Sequence, residues 1–317
     1  QHAEFVHTHR HPERPHTMRS FTAAALLATF GLFAGSSALE HYICTKSLPN
    51  ALIECAEYFE ISECRLSQYV EDSYPNCPDV KRLIRCALLN VGAWEDASGV
   101  RENVISNFFE PAAEDTCYVN RTRDCIAEAL KHLDSKDYLG RAYESFLCYY
   151  RQYGNVIESE QFFPNEPLEA KQLLLSAINF AHIPRCELVQ YSRGHIVDEP
   201  HFPALWFVWS LRGGYYTIAE GTDLQALYNQ FGCSELLSQC TKSCVEGVQQ
   251  ELAHADDKTK SYQTFRRCLK HLVPLDSIQK IALELVGGSH PAPPPCGCGP
   301  VCRGACGATH TSYYNNN

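Results

Sequence analysis

Residues 86–96 read Cys-Ala-Leu-Leu-Asn-Val-Gly-Ala-Trp-Glu-Asp, and the glycine near their end begins a pattern that occurs twice in the chain. Within this stretch Gly92 leads, after a short polar segment, to Gly99. The second half of the chain repeats the arrangement at the same spacing with Gly214 and Gly221, and an apolar segment ending in phenylalanine follows each pair. Self-similarity of this kind indicates two copies of one structural unit.

Further matches flank this turn on both sides. Cys55 and Cys64 are separated by the same number of residues as Ala177 and Cys186, in similar helix-then-cysteine settings. The pattern Tyr-x-x-Phe followed by cysteine also occurs once in each half. The predicted organisation is a first domain over 39–155, a linker over 156–167 and a second domain over 168–286.

Apolar residues recur at helical spacing in both copies. Gly or Pro interrupts the chain at helix-length intervals, and no sustained alternation of apolar and polar residues predicts a long strand. The predicted fold class is therefore all-α, with two tandem helical domains. The clearest apolar faces are Leu48, Leu52, Cys55, Ala56 and Phe59 in the first copy, and Leu173, Leu174, Ala177, Ile178 and Ala181 in the second.

The composition is typical of a secreted globular protein. Of 317 residues, 45% are hydrophobic and 20% charged, which is enough apolar material for a sizeable core. The 17 cysteines favour an oxidising compartment, and the net charge of −10 argues against a nucleic-acid partner. No catalytic serine elbow, zinc-protease motif or phosphate-binding loop occurs, so we expect no catalytic residue, metal, cofactor or enzymatic activity.

Both ends of the sequence differ from the predicted domains. Met18, the one methionine, is followed by a basic residue, an apolar run over 23–32 and small residues, which is typical of a secretory signal peptide. We expect an extraneous segment over 1–17, a signal peptide over 18–38, and an extracellular chain without a membrane span. Residues 287–317 form a Pro/Cys-rich tail, for which a disulfide knot, a flexible tail and a soft-metal site are the alternatives.

The cysteine pattern of the first copy resembles that of a known family. After residues 86–96 come Cys125 and then a segment, 141–148, that ends in a further cysteine. This pattern resembles the insect odorant-binding proteins of the pheromone-binding type, and the tandem copies resemble atypical two-domain members from mosquitoes. The disulfides that this resemblance implies are Cys55–Cys86 and Cys125–Cys148 in the first copy and Cys244–Cys268 in the second.

Family cysteines are missing in partnered pairs. Arg82 and Leu139 occupy the two positions of one family bridge in the first copy, and Ala177 and Val208 replace another in the second. Packing must then supply the ~2–4 kcal/mol that a bridge contributes. Matching the remaining cysteines between copies gives the hypothetical pairs Cys64–Cys117, Cys186–Cys233 and Cys44–Cys77, with Cys240 left over and a bridge to the tail as one option.

The resemblance also implies that the helices converge on an apolar cavity. Such a cavity favours small hydrophobic ligands such as odorants, other semiochemicals, fatty acids or terpenoids. By position on the matching helices, the cavity residues are predicted to be Leu66, Tyr69, Leu83, Leu88, Trp94, Phe108, Tyr143 and Phe146 in the first copy, and Leu188, Trp206, Trp209, Tyr216, Leu227, Phe231 and Phe265 in the second.

The function implied first is a carrier of hydrophobic ligands that delivers them to chemosensory receptors. The alternatives are a salivary-type scavenger of biogenic amines or eicosanoids, and an interaction protein whose pockets have closed. The sequence leaves the ligand, the number of open cavities and the oligomeric state undecided.

Two polar features complete the set of candidates. Asn120 begins an Asn-Arg-Thr sequon, which we expect in an exposed loop as a glycan acceptor. His182, His195 and His201 lie near one another in sequence. Solvated loop positions are the first interpretation of these histidines, and pH sensing or metal binding is the alternative.

Overall fold

The computed structural model describes residues 43–287, which all belong to the compact unit Leu39–Asn317. The predicted upstream segment, the signal peptide and tail residues 288–317 lie outside this part of the chain. The described chain is mainly helical, which confirms the all-α prediction. Between residues 43 and 287, no helix combines the length and apolar character needed to cross a bilayer.

The described residues form α-helices in both halves, with short connections. The α-helices are α1 Leu48–Tyr58, α2 Glu63–Glu71, α3 Pro78–Asn90, α4 Glu102–Ile105, α5 Tyr118–Leu130, α6 Tyr138–Cys148, α7 Pro167–Phe180, α8 Arg185–Ser192, α9 Phe202–Arg212, α10 Leu224–Phe231, α11 Gln239–Glu251, α12 Asp257–Thr264 and α13 Asp276–Val286. Two 3-10 turns, Ser106–Phe108 and Ser234–Leu237, and two π-helical segments, Tyr149–Tyr153 and Phe265–Leu269, complete the helical structure.

Short antiparallel pairs of two-residue strands connect the loops by backbone hydrogen bonds. These pairs are β1 Thr45–Lys46 with β6 Gln161–Phe162, β2 Trp94–Glu95 with β3 Gly99–Val100, β4 Phe109–Glu110 with β5 Asn155–Val156, and β7 Tyr216–Thr217 with β8 Gly221–Thr222.

The repeated turn has the same backbone in both halves. Gly92 and Gly99 have φ angles of +66° and +91°, and Gly214 and Gly221 have +76° and +83°. These values lie in the left-handed region, which glycine adopts without a steric penalty. In each half the carbonyl of the residue after the first glycine accepts a backbone hydrogen bond of 2.9 Å from beyond the hairpin. The glycine spacing in the sequence is therefore the requirement of one tight turn.

The first half packs around its own hydrophobic core. Helices α1 and α6 both pack on α3, and Leu83, Trp94 and Phe146 are at most 1% exposed between them and the hairpin. The Trp94 indole N–H donates to Asp96 Oδ1 at 2.8 Å, so the polar end of this buried ring has a partner.

The second half has a core dominated by aromatic rings. Trp206 of α9 is 2% exposed, and its ring centroid lies 4.2 Å from that of Phe265 and 5.5 Å from that of Trp209. Ala177 of α7, which the repeat assigns to a cysteine position of the family pattern, is fully buried in the same core. Aromatic side chains therefore share a core with the predicted bridge position.

The predicted linker, residues 156–167, is hydrogen-bonded to both halves. The carbonyl of Phe162 accepts from Asn107 Nδ2 at 3.1 Å and from Asn229 Nδ2 at 3.2 Å. Asn165 is only 6% exposed. The linker is therefore packed against the helices that flank it, while the domain boundaries inferred from the repeat stay a prediction.

Among the described cysteines, three disulfides join residue pairs, and all three are those that the family resemblance implies. They are Cys55–Cys86, Cys125–Cys148 and Cys244–Cys268. Cys240 is also disulfide-bonded, and its partner is not among the described residues.

The pairs inferred only by matching the two copies, Cys64–Cys117, Cys186–Cys233 and Cys44–Cys77, are not bonded in the structure. Cys64 lies on α2, which packs on α1, whereas Cys117 precedes α5, which packs on α6. Cys186 is exposed and Cys233 is buried. Equal spacing in the two copies does not place these thiols side by side, because helix packing sets the direction of each side chain.

Candidate ligand-binding site

A cleft of about 730 Å³, partly open to solvent, lies in the first half of the molecule. Its walls come from α1, from α2 and from residues 150–158, which follow α6. The volume falls within the ~300–1,000 Å³ that is typical of small-ligand pockets.

Serine caps fix where the two wall helices begin. Ser47 Oγ accepts from the backbone N–H of Asn50 at 3.1 Å, and Ser62 Oγ accepts from that of Arg65 at 3.3 Å. A serine that satisfies an otherwise unpaired N–H at a helix start stabilises the helix by ~1 kcal/mol. The positions of both wall helices are thus set by local sequence.

Each wall helix presents apolar residues to the cleft. Leu52 and Ile53 contribute from α1, and Leu66 and Val70, one turn apart on the same face, contribute from α2. Ile53 is 47% exposed and Val70 is 44% exposed. Without a ligand, these two walls leave apolar surface in contact with water.

Tyr74 lines the cleft below these walls and is only 4% exposed. Its carbonyl accepts a hydrogen bond of 2.8 Å from the Tyr143 hydroxyl, and its backbone N–H donates to the Tyr69 carbonyl at 2.7 Å. Its ring stands edge-on to those of Phe146 and Tyr150, at centroid distances of 4.9 and 5.2 Å. These contacts hold Tyr74 at φ +59°, an uncommon angle for a residue with a bulky side chain.

The third wall depends on a close backbone approach at Gly154. A Cβ at this position would lie 2.2 Å from the Glu110 carbonyl oxygen, so only glycine lets β5 pair with β4. That pairing positions Asn155 and Val156, which both line the cleft.

The cleft is acidic. Glu71 and Glu158 line it, and no lysine, arginine or histidine does so among the described residues. Burial, with smaller effects of Tyr150 and Glu158, raises the pKa of Tyr74 to about 12, so this phenol is protonated at neutral pH. The site therefore combines apolar walls, a neutral phenol and two carboxylates.

The predicted cavity residues of the first copy divide into two groups. Leu66 lines the cleft. The others belong to the core or pack within it, and none of them lines the cleft: Tyr69, Leu83, Leu88, Trp94, Phe108, Tyr143 and Phe146. Tyr143 and Phe146 support the cleft from behind through Tyr74, and a direct ligand contact by these core residues stays a prediction.

The predicted cavity residues of the second copy lie in or around the aromatic core. Trp206, Trp209, Leu227 and Phe265 are buried in it, and Leu188 and Phe231 pack against it. Tyr216 lies at the repeated turn, where its hydroxyl donates to Asp257 Oδ1 at 3.0 Å. Their role in ligand binding likewise stays a prediction.

The helical spacing does contain a signal for Pro49, Ile53 and Val70, three cleft residues that were not among those predicted. Pro49 and Ile53 are four residues apart on α1, beside the main apolar face of that helix, and Leu66 and Val70 are four apart on α2. Such a second stripe, next to a core-facing one, is the pattern of a helix that meets two apolar surfaces. Tyr74 has no comparable signal, because its position follows from the turn after α2.

A second cleft, of about 520 Å³, also lies in the first half. It is lined by Arg82 and Leu139, the two residues that the family resemblance assigns to the positions of one missing bridge. Arg82 pairs with Asp79 at 2.9 Å and lies over the Phe59 ring.

The sequon is helical rather than part of a loop. Asn120 lies in the first turn of α5 and is exposed, whereas Thr122 is fully buried. The expectation of an exposed loop between Cys117 and Cys125 was therefore wrong, because helix α5 begins directly after Cys117.

His201 differs from a freely solvated loop histidine. Its Nδ1 lies 2.5 Å from Oε1 of Glu187, a carboxylate that is only 6% exposed, and its backbone N–H donates to the same carboxylate at 3.1 Å. Within residues 43–287, no three His, Cys, Asp or Glu side chains are grouped so as to hold a metal ion.

Comparison with known proteins places these features in a family. The model of the PBP/GOBP family matches residues 44–152, the part of the chain that contains most of the cleft. General odorant-binding protein 69 of Anopheles gambiae is 30% identical over 162 residues, which cover 48% of this chain and 67% of that protein. No solved structure matches the chain significantly.

The helical fold, the disulfides and the apolar cleft are those of a small-ligand carrier, and the two comparisons support this class of protein. The chain belongs to the PBP/GOBP family of insect odorant-binding proteins. Members of this family are secreted carriers of small hydrophobic molecules and not enzymes.

Proposed function

We propose that this protein is a secreted carrier of odorants or other small hydrophobic semiochemicals, and that the cleft between α1, α2 and residues 150–158 is its binding site. The observation that carries the proposal is the exposure of Ile53 and Val70, two apolar side chains on facing walls of one cleft. Single exposed apolar residues are ordinary, but several around one concave surface are typical of a ligand site.

Apolar burial supplies the driving force in this proposal. Each 100 Å² of apolar surface removed from water contributes ~2.5 kcal/mol, and this gain offsets the loss of translational and rotational freedom on binding. Ser67 and Asn155, which also line the cleft, supply polar groups for one end of the ligand.

The two halves have different roles in this proposal. Residues 39–155 form the ligand-binding domain, 156–167 the linker and 168–286 a second domain of the same origin. The aromatic core around Trp206 supports a mainly structural role for the second domain, because its rings pack against one another at centroid distances of 4.2 to 5.5 Å.

Delivery to chemosensory receptors and scavenging are two uses of the same cleft. A delivering carrier releases its ligand within the time of a sensory response, whereas a scavenger retains it. The dissociation rate of a bound probe, measured by stopped-flow fluorescence, separates these two uses.

Filling the cleft tests where the ligand binds. Ser67→Trp places an indole on the α2 wall, so we expect the full chain to bind the fluorescent probe N-phenyl-1-naphthylamine, and decanol as its competitor, at least ~10-fold more weakly. Leu168→Trp is the matched control, because Leu168 is 69% exposed on α7 and lines none of these clefts. Unchanged binding by the Ser67 variant, with an unchanged circular dichroism spectrum, would contradict the proposed site.

A further inference from the structure

Two carboxylates, those of Glu71 and Glu158, line the otherwise largely apolar cleft. Glu71 comes from the last residue of α2 and Glu158 from the segment after β5, so the two carboxylates reach the cleft from different elements. Neither forms an ion pair with a basic side chain anywhere in residues 43–287. Both residues are exposed.

Two of the basic side chains near these walls are engaged elsewhere. Arg65, on α2, donates to the Tyr69 hydroxyl at 3.0 Å and to Gln68 Oε1 at 3.2 Å. Lys46 is bonded to Glu54 Oε2 at 2.5 Å. Arg151 belongs to the 150–158 segment but does not line the cleft, so the two carboxylates are the charged groups among the described lining residues, and the net charge of −10 adds a negative field over the whole molecule.

Aromatic rings add to the preference for positive charge. Tyr74 and Tyr150 line the same cleft as the two carboxylates. A tyrosine ring attracts a cation electrostatically through its negative face. Burial raises the pKa of the Tyr74 phenol, and the negative charge of Glu158 raises it further.

We infer that the preferred ligand of this cleft is a hydrophobic molecule with a protonated amine at one end. The apolar body lies against Leu52, Leu66 and Val156, and the ammonium group lies between Glu71 and Glu158. A fatty acid is disfavoured, because its carboxylate would approach two like charges. This inference rests on the proposed binding site and adds the chemical class of the ligand.

Three probes with the same decyl chain test the inference on the full chain: decylamine, decanol and undecanoate. All three have the same apolar body, and only the head group differs. By displacement of N-phenyl-1-naphthylamine at pH 7 and low salt, we expect decylamine to bind about 10-fold more tightly than decanol and undecanoate to bind more weakly than decanol. Salt at ~0.5 M should reduce the preference, since it screens exposed charges.

The variant Glu71→Gln/Glu158→Gln removes both charges with little change of shape. We expect it to bind decanol as before and to lose the preference for decylamine. Glu57→Gln is the matched control, because Glu57 is an exposed glutamate of α1 that does not line the cleft. The control should keep the preference.

The possible outcomes distinguish a failure of the amine preference from a failure of the proposed carrier function. If decanol binds and decylamine binds no more tightly, the amine preference is wrong and the carrier stands. If the double glutamine variant keeps a 10-fold preference, the two carboxylates do not cause it, and the inference is equally wrong. If none of the three probes displaces the dye, both the proposed site and the inference fail.

Discussion

The two halves of the molecule share a turn but stabilise their cores by different means. Both place left-handed glycines at the same two positions of a hairpin, and both continue a late helix into a π-helical segment. Among the described residues, two disulfides join pairs in the first half and one, Cys244–Cys268, joins a pair in the second, where Cys240 is also disulfide-bonded. Where the first half has Cys55–Cys86, the second has buried Ala177 and a neighbouring cluster of aromatic rings.

If the two halves are copies of one unit, as the repeat predicts, this difference means that a covalent constraint and a packed aromatic core can stabilise related cores. A bridge lowers the entropy of the unfolded chain, whereas a ring such as Trp206 stabilises the folded state by removing apolar surface from water. The clefts of the two halves differ as well. The cleft of the first half is lined by apolar residues such as Ile53 and Val70, whereas a cleft of about 720 Å³ in the second half is lined mainly by polar residues of α11 and by Arg267.

The largest expected effect comes from removing the central ring of the second half. Trp206→Ala should lower the free energy of unfolding by about 3–5 kcal/mol, because it leaves a cavity against Phe265 and Trp209. Guanidinium titration followed by circular dichroism measures the change. Leu168→Ala, at a position that is 69% exposed, should change it by less than ~0.5 kcal/mol. A loss below ~1 kcal/mol for Trp206→Ala would show that aromatic packing does not replace the bridge.

Removing the equivalent bridge from each half should have a smaller and nearly equal effect. Cys125–Cys148 and Cys244–Cys268 close loops with sequence separations of 23 and 24, so the loop-entropy model gives almost the same stabilisation for both. Replacing each pair by alanine should lower the free energy of unfolding by about 2–4 kcal/mol. Costs that differ by more than ~1 kcal/mol would mean that the bridges are not equivalent.

The smallest effect is a pH dependence that arises from the Lys46–Glu54 pair of the first half. Hydrogen bonds from Lys46 and then Tyr58 lower the pKa of Glu54 from 4.5 to about 2. A carboxylate whose pKa is lower in the folded than in the unfolded protein stabilises the fold at pH values above the unfolded pKa. That contribution is lost as the pH falls from about 4.5 through about 2. Because the pair is partly exposed, screening limits the contribution to less than ~1 kcal/mol.

Lys46→Met tests this pair directly. The Glu54 carboxyl should then titrate closer to its ordinary pKa in an NMR titration, and the unfolding free energy near pH 7 should fall slightly while that near pH 2 stays the same. Lys171→Met, which removes the exposed pair with Glu284 in the second half, serves as the control and should leave the titration of Glu54 unchanged. An unshifted Glu54 in Lys46→Met would contradict the assignment.

The sequence predicts the fold well because local rules govern most of it. Helical periodicity gives the all-α class, and the paired glycines mark a turn that only a left-handed residue makes easily. The family resemblance gives the bonded pairs Cys55–Cys86, Cys125–Cys148 and Cys244–Cys268. Matching cysteines between copies fails for Cys186 and Cys233, because one thiol is exposed and the other buried.

The candidate site is predicted much less well. Of the residues inferred for the first copy, Leu66 lines the cleft, whereas Trp94 and Phe108 lie deep in the core. A large apolar side chain on a helix has the same sequence signal in a core and in a cavity wall. Ile53 and Val70 become visible as site residues only through their exposure beside a concave surface.

Spacing along the chain predicts the helical class, the paired glycine turns and the apolar faces of the helices. These features are local, so they can be read from the order of the residues. Where a cleft stays open, which thiols meet and whether Glu71 and Glu158 line the same cleft follow only from the three-dimensional packing. Those features depend on how helices far apart in sequence pack together, and many packings satisfy the same local pattern.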